Sequence, residues 1–258
     1  MTMTQLKHIQ MAKADGIARI TLARPKHNVL NIEMMNELNS ELDRLVNDED
    51  LKALVLLGQG PSFCAGVEVA DHKPGLVHDM ISVFNGIFER LERLRVPSLA
   101  AVQGACLGGG MELAIACDLV AAGAGAVFGQ PEIKLGFFPP YAAVRLPQLV
   151  GPAKAIEICT TGKRYSADDA KAMGLINHVW PDEVFDENLE KLIAEIRANS
   201  PLIIRLNKQA VKQHLGLPFA QALDGVSDLF LNTLMKTEDT LEGIASFEEK
   251  RRPQWKNR

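Results

Sequence analysis

The sequence predicts an α/β fold built on a largely parallel sheet and finished by a helical C-terminal stretch. Three observations carry this. Apolar runs of strand length alternate with segments of helical period as far as Gly151. Glycine-rich turns follow two of the runs, at Gly58 and Gly60 and again at Gly104 and residues 108–110. Beyond Gly151 the pattern becomes helical, with little strand between the helices.

Residues 16–23 alternate apolar and polar side chains and stop at Arg24-Pro25, which reads as a strand. A strand over 7–12 precedes it, closing a hairpin through Ala14-Asp15-Gly16. Asn31 is the expected N-cap of a helix reaching Val46, with Met34, Met35, Leu38, Leu42 and Leu45 at helical spacing. Ala53–Gly58 is a short buried strand. A helix over 77–94, a strand Ser98–Val102, a helix over 111–116 and a strand over 119–122 follow. Strand and helix in this order imply βαβ units. Four helices then close the reading, over 152–161, 166–173, 182–199 and 201–214, the second starting at Ser166 with Asp169 in its first turn.

At 258 residues the chain is one large α/β domain, or one domain with a smaller appendage. A net charge of −4 argues against a nucleic-acid binder driven by phosphate neutralisation. It also requires that an anionic ligand be held by local cations and helix ends. Cys64, Cys106, Cys117 and Cys159 lie apart among apolar neighbours and read as reduced, buried thiols. No His, Asp, Glu or Cys spacing points to a metal. No apolar run approaches membrane-spanning length and no signal pattern opens the chain, so a soluble, cytoplasmic protein is expected.

Two carboxylates stand out. Glu112 and Glu132 each sit behind a turn in an otherwise apolar stretch, where a charge costs several kcal/mol unless paired, hydrogen-bonded or neutral. Paired carboxyls in such settings can divide acid and base roles near neutral pH. The glycines at 108–110 let a ligand approach the backbone closely and open a helix whose first amides are free. Tight helix–sheet packing is the lesser, competing reading of these glycines taken alone. No Gly-Lys-Ser/Thr follows them, so they do not form a P-loop, and the spacing fits a dinucleotide fingerprint poorly. A second turn, Ser62-Phe-Cys-Ala-Gly-Val-Glu68, taken alone reads as an ordinary loop.

Together the turns resemble a known family. Ser62-Phe-Cys-Ala-Gly-Val-Glu-Val69, Gln103-Gly-Ala-Cys-Leu-Gly-Gly-Gly-Met-Glu-Leu-Ala114 and Phe128-Gly-Gln-Pro-Glu-Ile-Lys-Leu-Gly136 are similar to the three motifs of the crotonase, or enoyl-CoA hydratase/isomerase, superfamily. The likeness extends to Arg24-Pro25, Asn28, Leu30-Asn31, Cys117-Asp118, Thr161-Gly162 and Lys250-Arg251-Arg252-Pro253. It implies a ββα spiral core over residues 1–195 that binds CoA and carries catalysis. Residues 196–258 would form a helical oligomerisation region, giving a homotrimer or a dimer of trimers. The ligand would be an acyl-CoA thioester, with no separate cofactor because coenzyme A belongs to the substrate. The resemblance places an oxyanion hole on the backbone amides of Val67 and Gly109. It makes Glu132 the acid that delivers the α-proton and Glu112 the group that activates water, with exchange of the two roles open. CoA contacts would fall on Lys26, on the backbone of Ala65, Gly66, Val67, Glu68 and Val69, and on Lys250; for the two lysines a plain solvated surface is the competing reading. An isomerase, a C–C hydrolase, or a member that only binds CoA or RNA remain the alternatives.

Two departures bear on the acyl group. After Glu132 the family's glycine-rich turn is replaced by Gly136-Phe-Phe-Pro-Pro-Tyr-Ala-Ala-Val144, which stiffens the turn and puts Tyr141 near the acyl end of the site. The stretch Gly66-Val-Glu-Val-Ala-Asp-His-Lys-Pro74 also differs. Both are similar to cyclic dienoyl-CoA hydratases of aromatic degradation, such as those acting on cyclohexa-1,5-diene-1-carbonyl-CoA. His72 and Asp71 are then candidate pocket residues, each with a plain structural reading beside it; His178 reads as a surface or satisfied residue.

Overall fold

The computed structural model describes residues 6–258. Strands β1 (Ile9–Ala14) and β2 (Ile17–Leu22) form the expected antiparallel hairpin, with Asp15 at φ 52° and Gly16 at φ 78° making the turn. Helix α1 (Ile32–Val46) is capped by the Asn31 side chain, which accepts from Met34 N at 3.1 Å.

From there the chain repeats a two-strand, one-helix turn. Strands β3 (Ala53–Gly58) and β4 (Ser62–Cys64) lead to α2 (Val77–Arg93). Strands β5 (Ser98–Val102) and β6 (Ala105–Leu107) lead to α3 (Gly109–Ala116). Strands β7 (Leu119–Gly123) and β8 (Val127–Gly129) lead, through a 3₁₀ turn at Pro131–Leu135, to α4 (Pro140–Val150). Each turn lays its first strand in one sheet and its second in another, which is a ββα spiral.

Helix α5 (Pro152–Thr161), strand β9 (Arg164–Ser166), helix α6 (Ala167–Ala172) and strand β10 (His178–Trp180) complete both sheets. The larger sheet runs β1-β2-β3-β5-β7-β10 and is parallel beyond its first pair. The smaller runs β4-β6-β8-β9, parallel except for the last pair.

The larger sheet is covered on both faces, which is why its strands read as unbroken apolar runs. On β3, Leu54 and Leu56 face the core formed with α1, α2 and α3, whereas Ala53 and Val55 face Phe185, Leu189 and Ile193 of α7 (Phe185–Arg197). Helices α8 (Pro201–Lys212), α9 (Phe219–Asn232) and α10 (Glu238–Glu248) end the chain. Buried Asp239 pins the tail by accepting from the amides of Lys256 (2.6 Å) and Asn257 (2.9 Å). Among the described residues no helix is long and apolar enough to cross a membrane.

Some expectations need correction. The stretch 136–144 is not wholly a stiff turn: Pro140 starts α4, where its missing N–H costs nothing. After Gly151 strand is confined to the three-residue β9 and β10, in keeping with the little strand expected there. Of the four cysteines, which are all free, Cys159 is only half-buried.

Candidate active site

Two backbone amides open onto one cavity. Past β4 the chain turns at Gly66 (φ 126°) and pairs with residue 30, Leu30 N donating to Gly66 O at 2.9 Å and Glu68 N to Leu30 O at 2.7 Å. That bracketing leaves the intervening Val67 N–H without a protein acceptor among the described residues. Gly109 is the first residue of α3, so its N–H has no partner within the helix. A Cβ built on Gly109 would sit 3.5 Å from Val67 N and would collide with Val67 Cγ2. The two amides are therefore neighbours, and glycine keeps them so. A pair of free N–H groups is suited to hold a carbonyl oxygen that gains negative charge.

Beside them stand the two carboxyls. Glu112, in the first turn of α3, is only 2% exposed, and its Oε1 accepts from Ala142 N at 2.8 Å, near the start of α4. Burial pushes its pKa up to about 7; the Ala142 and Tyr141 amides pull it down, and neighbouring Glu132 pushes it further up. Glu132 rides the 3₁₀ turn after β8, its carboxyl lying so close to Gly108 that a Cβ there would be 2.5 Å from Oε1. Burial raises its pKa to about 7 as well. Gln130 is fully buried, and its amide satisfies its neighbours when the nitrogen faces Glu132, donating to Oε2 at 3.0 Å and Oε1 at 3.1 Å. Nothing in the sequence marked Gln130 beyond its place two residues before a proposed acid.

All four groups line a cavity of about 540 Å³, of a size usual for small-molecule sites. Ala65, Gly66 and Val69 line it too, but Glu68 does not: its carboxylate pairs with Arg24 at 3.0 Å. Tyr141 also needs correction. Its ring stacks on Phe88 with centroids 3.8 Å apart and does not line the cavity; its backbone amide serves Glu112 instead. Lys26 borders a separate hollow with His27, Gly60 and Pro61. Lys250 is exposed beyond α10 and stands outside the cavity wall of its own chain. His72 does line the cavity, whereas Asp71 accepts from Ile32 N at 3.0 Å and His178 stacks on Trp180. The apolar wall is supplied by α2, including Phe84, and by the 131–140 segment, including Phe137 and Phe138; Phe84 and Phe137 were not singled out one by one in the sequence because core-facing and cavity-facing apolar residues look alike there. Among the described residues no cluster of three metal-ligating side chains occurs.

Two carboxyls that titrate near neutrality, beside two amides without protein acceptors among the described residues, make an arrangement that can carry out acid–base chemistry on a carbonyl compound. The chain belongs to the enoyl-CoA hydratase/isomerase family, which matches residues 12–258, and its fold is the crotonase fold. It is 34% identical over 256 residues to the cyclohexa-1,5-dienecarbonyl-CoA hydratase of Thauera aromatica, covering 97% of this chain and 96% of that one. The short-chain-enoyl-CoA hydratase of Clostridium acetobutylicum is 33% identical over 263 residues, covering 98% of this chain and all of that one. The crystal structure of an enoyl-CoA hydratase from Bacillus anthracis superposes with a TM-score of 0.92 at 30% identity, over 98% of this chain and 100% of that one.

Proposed function

We propose that this chain adds water across the α,β double bond of an acyl-CoA thioester. It is an enzyme of the enoyl-CoA hydratase-like hydro-lyase kind, and the observation that carries the reading is the pair Glu112–Glu132 in one cavity with the free amides of Val67 and Gly109. The thioester oxygen accepts from both amides, which drains electrons from the β-carbon. A water between the carboxyls loses a proton to one of them as its oxygen bonds to the β-carbon. The enolate-like intermediate then takes its α-proton from the other carboxyl. The dyad thus ends with the same single proton it began with, moved from one member to the other.

Glu112 suits the base, because the Ala142 and Tyr141 amides at the start of α4 favour its ionised form. Glu132 then serves as the acid; Gln130, donating to its oxygens, orients the carboxyl and favours the carboxylate left once the α-proton has been delivered. The acyl group we propose is a cyclic dienoyl such as cyclohexa-1,5-diene-1-carbonyl, supported by Phe137, Phe138 and the prolines at 139 and 140 in the cavity lining and by the Thauera relative. Lys26, together with Lys250 of a neighbouring copy, would meet the CoA phosphates. Phe219 and Phe247, 81% and 85% exposed on α9 and α10, support self-association as a homotrimer or hexamer.

The test is a panel of acyl-CoA esters followed by mass. Uptake of one water by crotonyl-CoA or the cyclic dienoyl-CoA is expected; a moved double bond with no uptake of solvent oxygen means an isomerase instead. The pH profile offers a second check. With both carboxyls near 7 and one proton needed on the pair, kcat/KM should be bell-shaped and centred close to pH 7. A rate that is flat between about pH 5 and 9 would remove the dyad from the mechanism.

A further inference from the structure

Resting on the hydratase reading, we propose that the stacked rings of His72 and Phe137 form a specificity wall that selects planar, conjugated acyl groups over flexible straight chains. Both rings line the catalytic cavity, with centroids 5.0 Å apart and planes 28° from parallel. They stand on the two segments that carry the chemistry. His72 closes the short 3₁₀ turn that follows Val67, and Phe137 follows Glu132 across Gly136. The stack therefore braces the oxyanion segment against the acid segment, and an acyl group held at both must pass beside it.

The His72 ring and the backbone that carries Phe137 are each held locally. His72 Nδ1 lies 3.0 Å from Glu68 O, an atom that can only accept, so the proton sits on Nδ1 and the ring orientation is set. Phe137 N donates to Glu132 O at 3.0 Å, and the prolines at 139 and 140 restrict the chain just beyond. Val77, Met80, Ile81 and Phe84 of α2 face the stack across the cavity lining, with Phe84 next to the oxyanion glycine, and Phe138 and the two prolines extend the wall beside Phe137. A cavity walled by pre-set aromatic rings rewards a flat π-system with stacking. It gives a saturated tail no such contact and still charges it the entropy of ordering its torsions.

The experiment compares kcat/KM for cyclohexa-1,5-diene-1-carbonyl-CoA with that for trans-2-hexenoyl-CoA. The wild type is expected to favour the ring. Phe137→Leu and His72→Ala should each lower the ring-to-chain ratio by roughly tenfold, the upper range for losing one aromatic stacking partner. His72→Phe keeps a stacked ring while deleting the bond to Glu68 O, so its ratio should stay within about twofold of wild type. Ratios unchanged in Phe137→Leu and His72→Ala, or a wild type that favours the straight chain, overturn the proposal. Failure of the wild type to add water to either thioester overturns the hydratase reading, and this proposal with it.

Discussion

Glutamine in place of Glu132 is expected to lower kcat/KM for hydration by at least ~10²-fold, and Glu112→Gln by a similar factor, the range for a positioned acid–base group. The substitutions are close to isosteric, and in Glu112→Gln the amide oxygen can still accept from Ala142 N as the carboxyl oxygen does now. If the pair works as a unit sharing one proton, the double variant should be little worse than either single one, because the second loss removes a partner that is already idle. Independent roles would instead multiply the two factors. Retention of more than about a tenth of wild-type turnover by both single variants would end the assignment.

Stability offers a control with a definite sign. The Glu112 carboxyl is raised from 4.5 to about 7 by burial, so its ionisation opposes folding. Below pH 4.5 the group is neutral in folded and unfolded chains alike, and no penalty exists. Between pH 4.5 and 7 the unfolded chain ionises first, and above 7 the full cost applies, at most about 3 kcal/mol by the pKa difference. Glutamine does not titrate. The Glu112→Gln variant should therefore melt higher than wild type at about pH 8 and lose that advantage near pH 4, so that its lost activity cannot be ascribed to unfolding.

How much of this was legible in the sequence depends on the length of each element and on which side its residues face. Helix α1 was readable because five apolar residues at helical spacing and a capping Asn31 agree. The hairpin was readable from Asp15-Gly16. The smaller sheet was not, since β4, β6, β8 and β9 have three residues each and a period of two needs more than that to be seen. Helix α4 was hidden because Pro139-Pro140 reads as a turn, although the second proline occupies the first helical position and its ring geometry suits it. The proposed catalytic pair was visible as an anomaly, acids where a core would have none, and Gly109 as one of three consecutive glycines opening a helix. Gln130, Phe84 and Phe137 were not anomalies, and Tyr141 was misplaced because the direction of a ring depends on the helix that carries it.

The oxyanion pair meets its sharpest test in Gly109→Ala, expected to reduce kcat/KM by about 10²–10³-fold, the cost of losing one such donor. The backbone does not oppose this change: Gly109 opens the helix and is not left-handed, so alanine can adopt its conformation. The cost arises only where the new methyl points. It would overlap Val67 Cγ2 and come within 3.1 Å of Phe84 Cζ, so either the Val67 segment or the start of α3 must move, and the two amides separate. Adding Val67→Ala removes the obstructing methyl while leaving its N–H intact, and should restore at least about tenfold of the lost activity. A Gly109→Ala enzyme within about threefold of wild type would mean that the thioester oxygen is held elsewhere. A loss that Val67→Ala leaves untouched would mean that the glycine serves packing and not the spacing of the two amides.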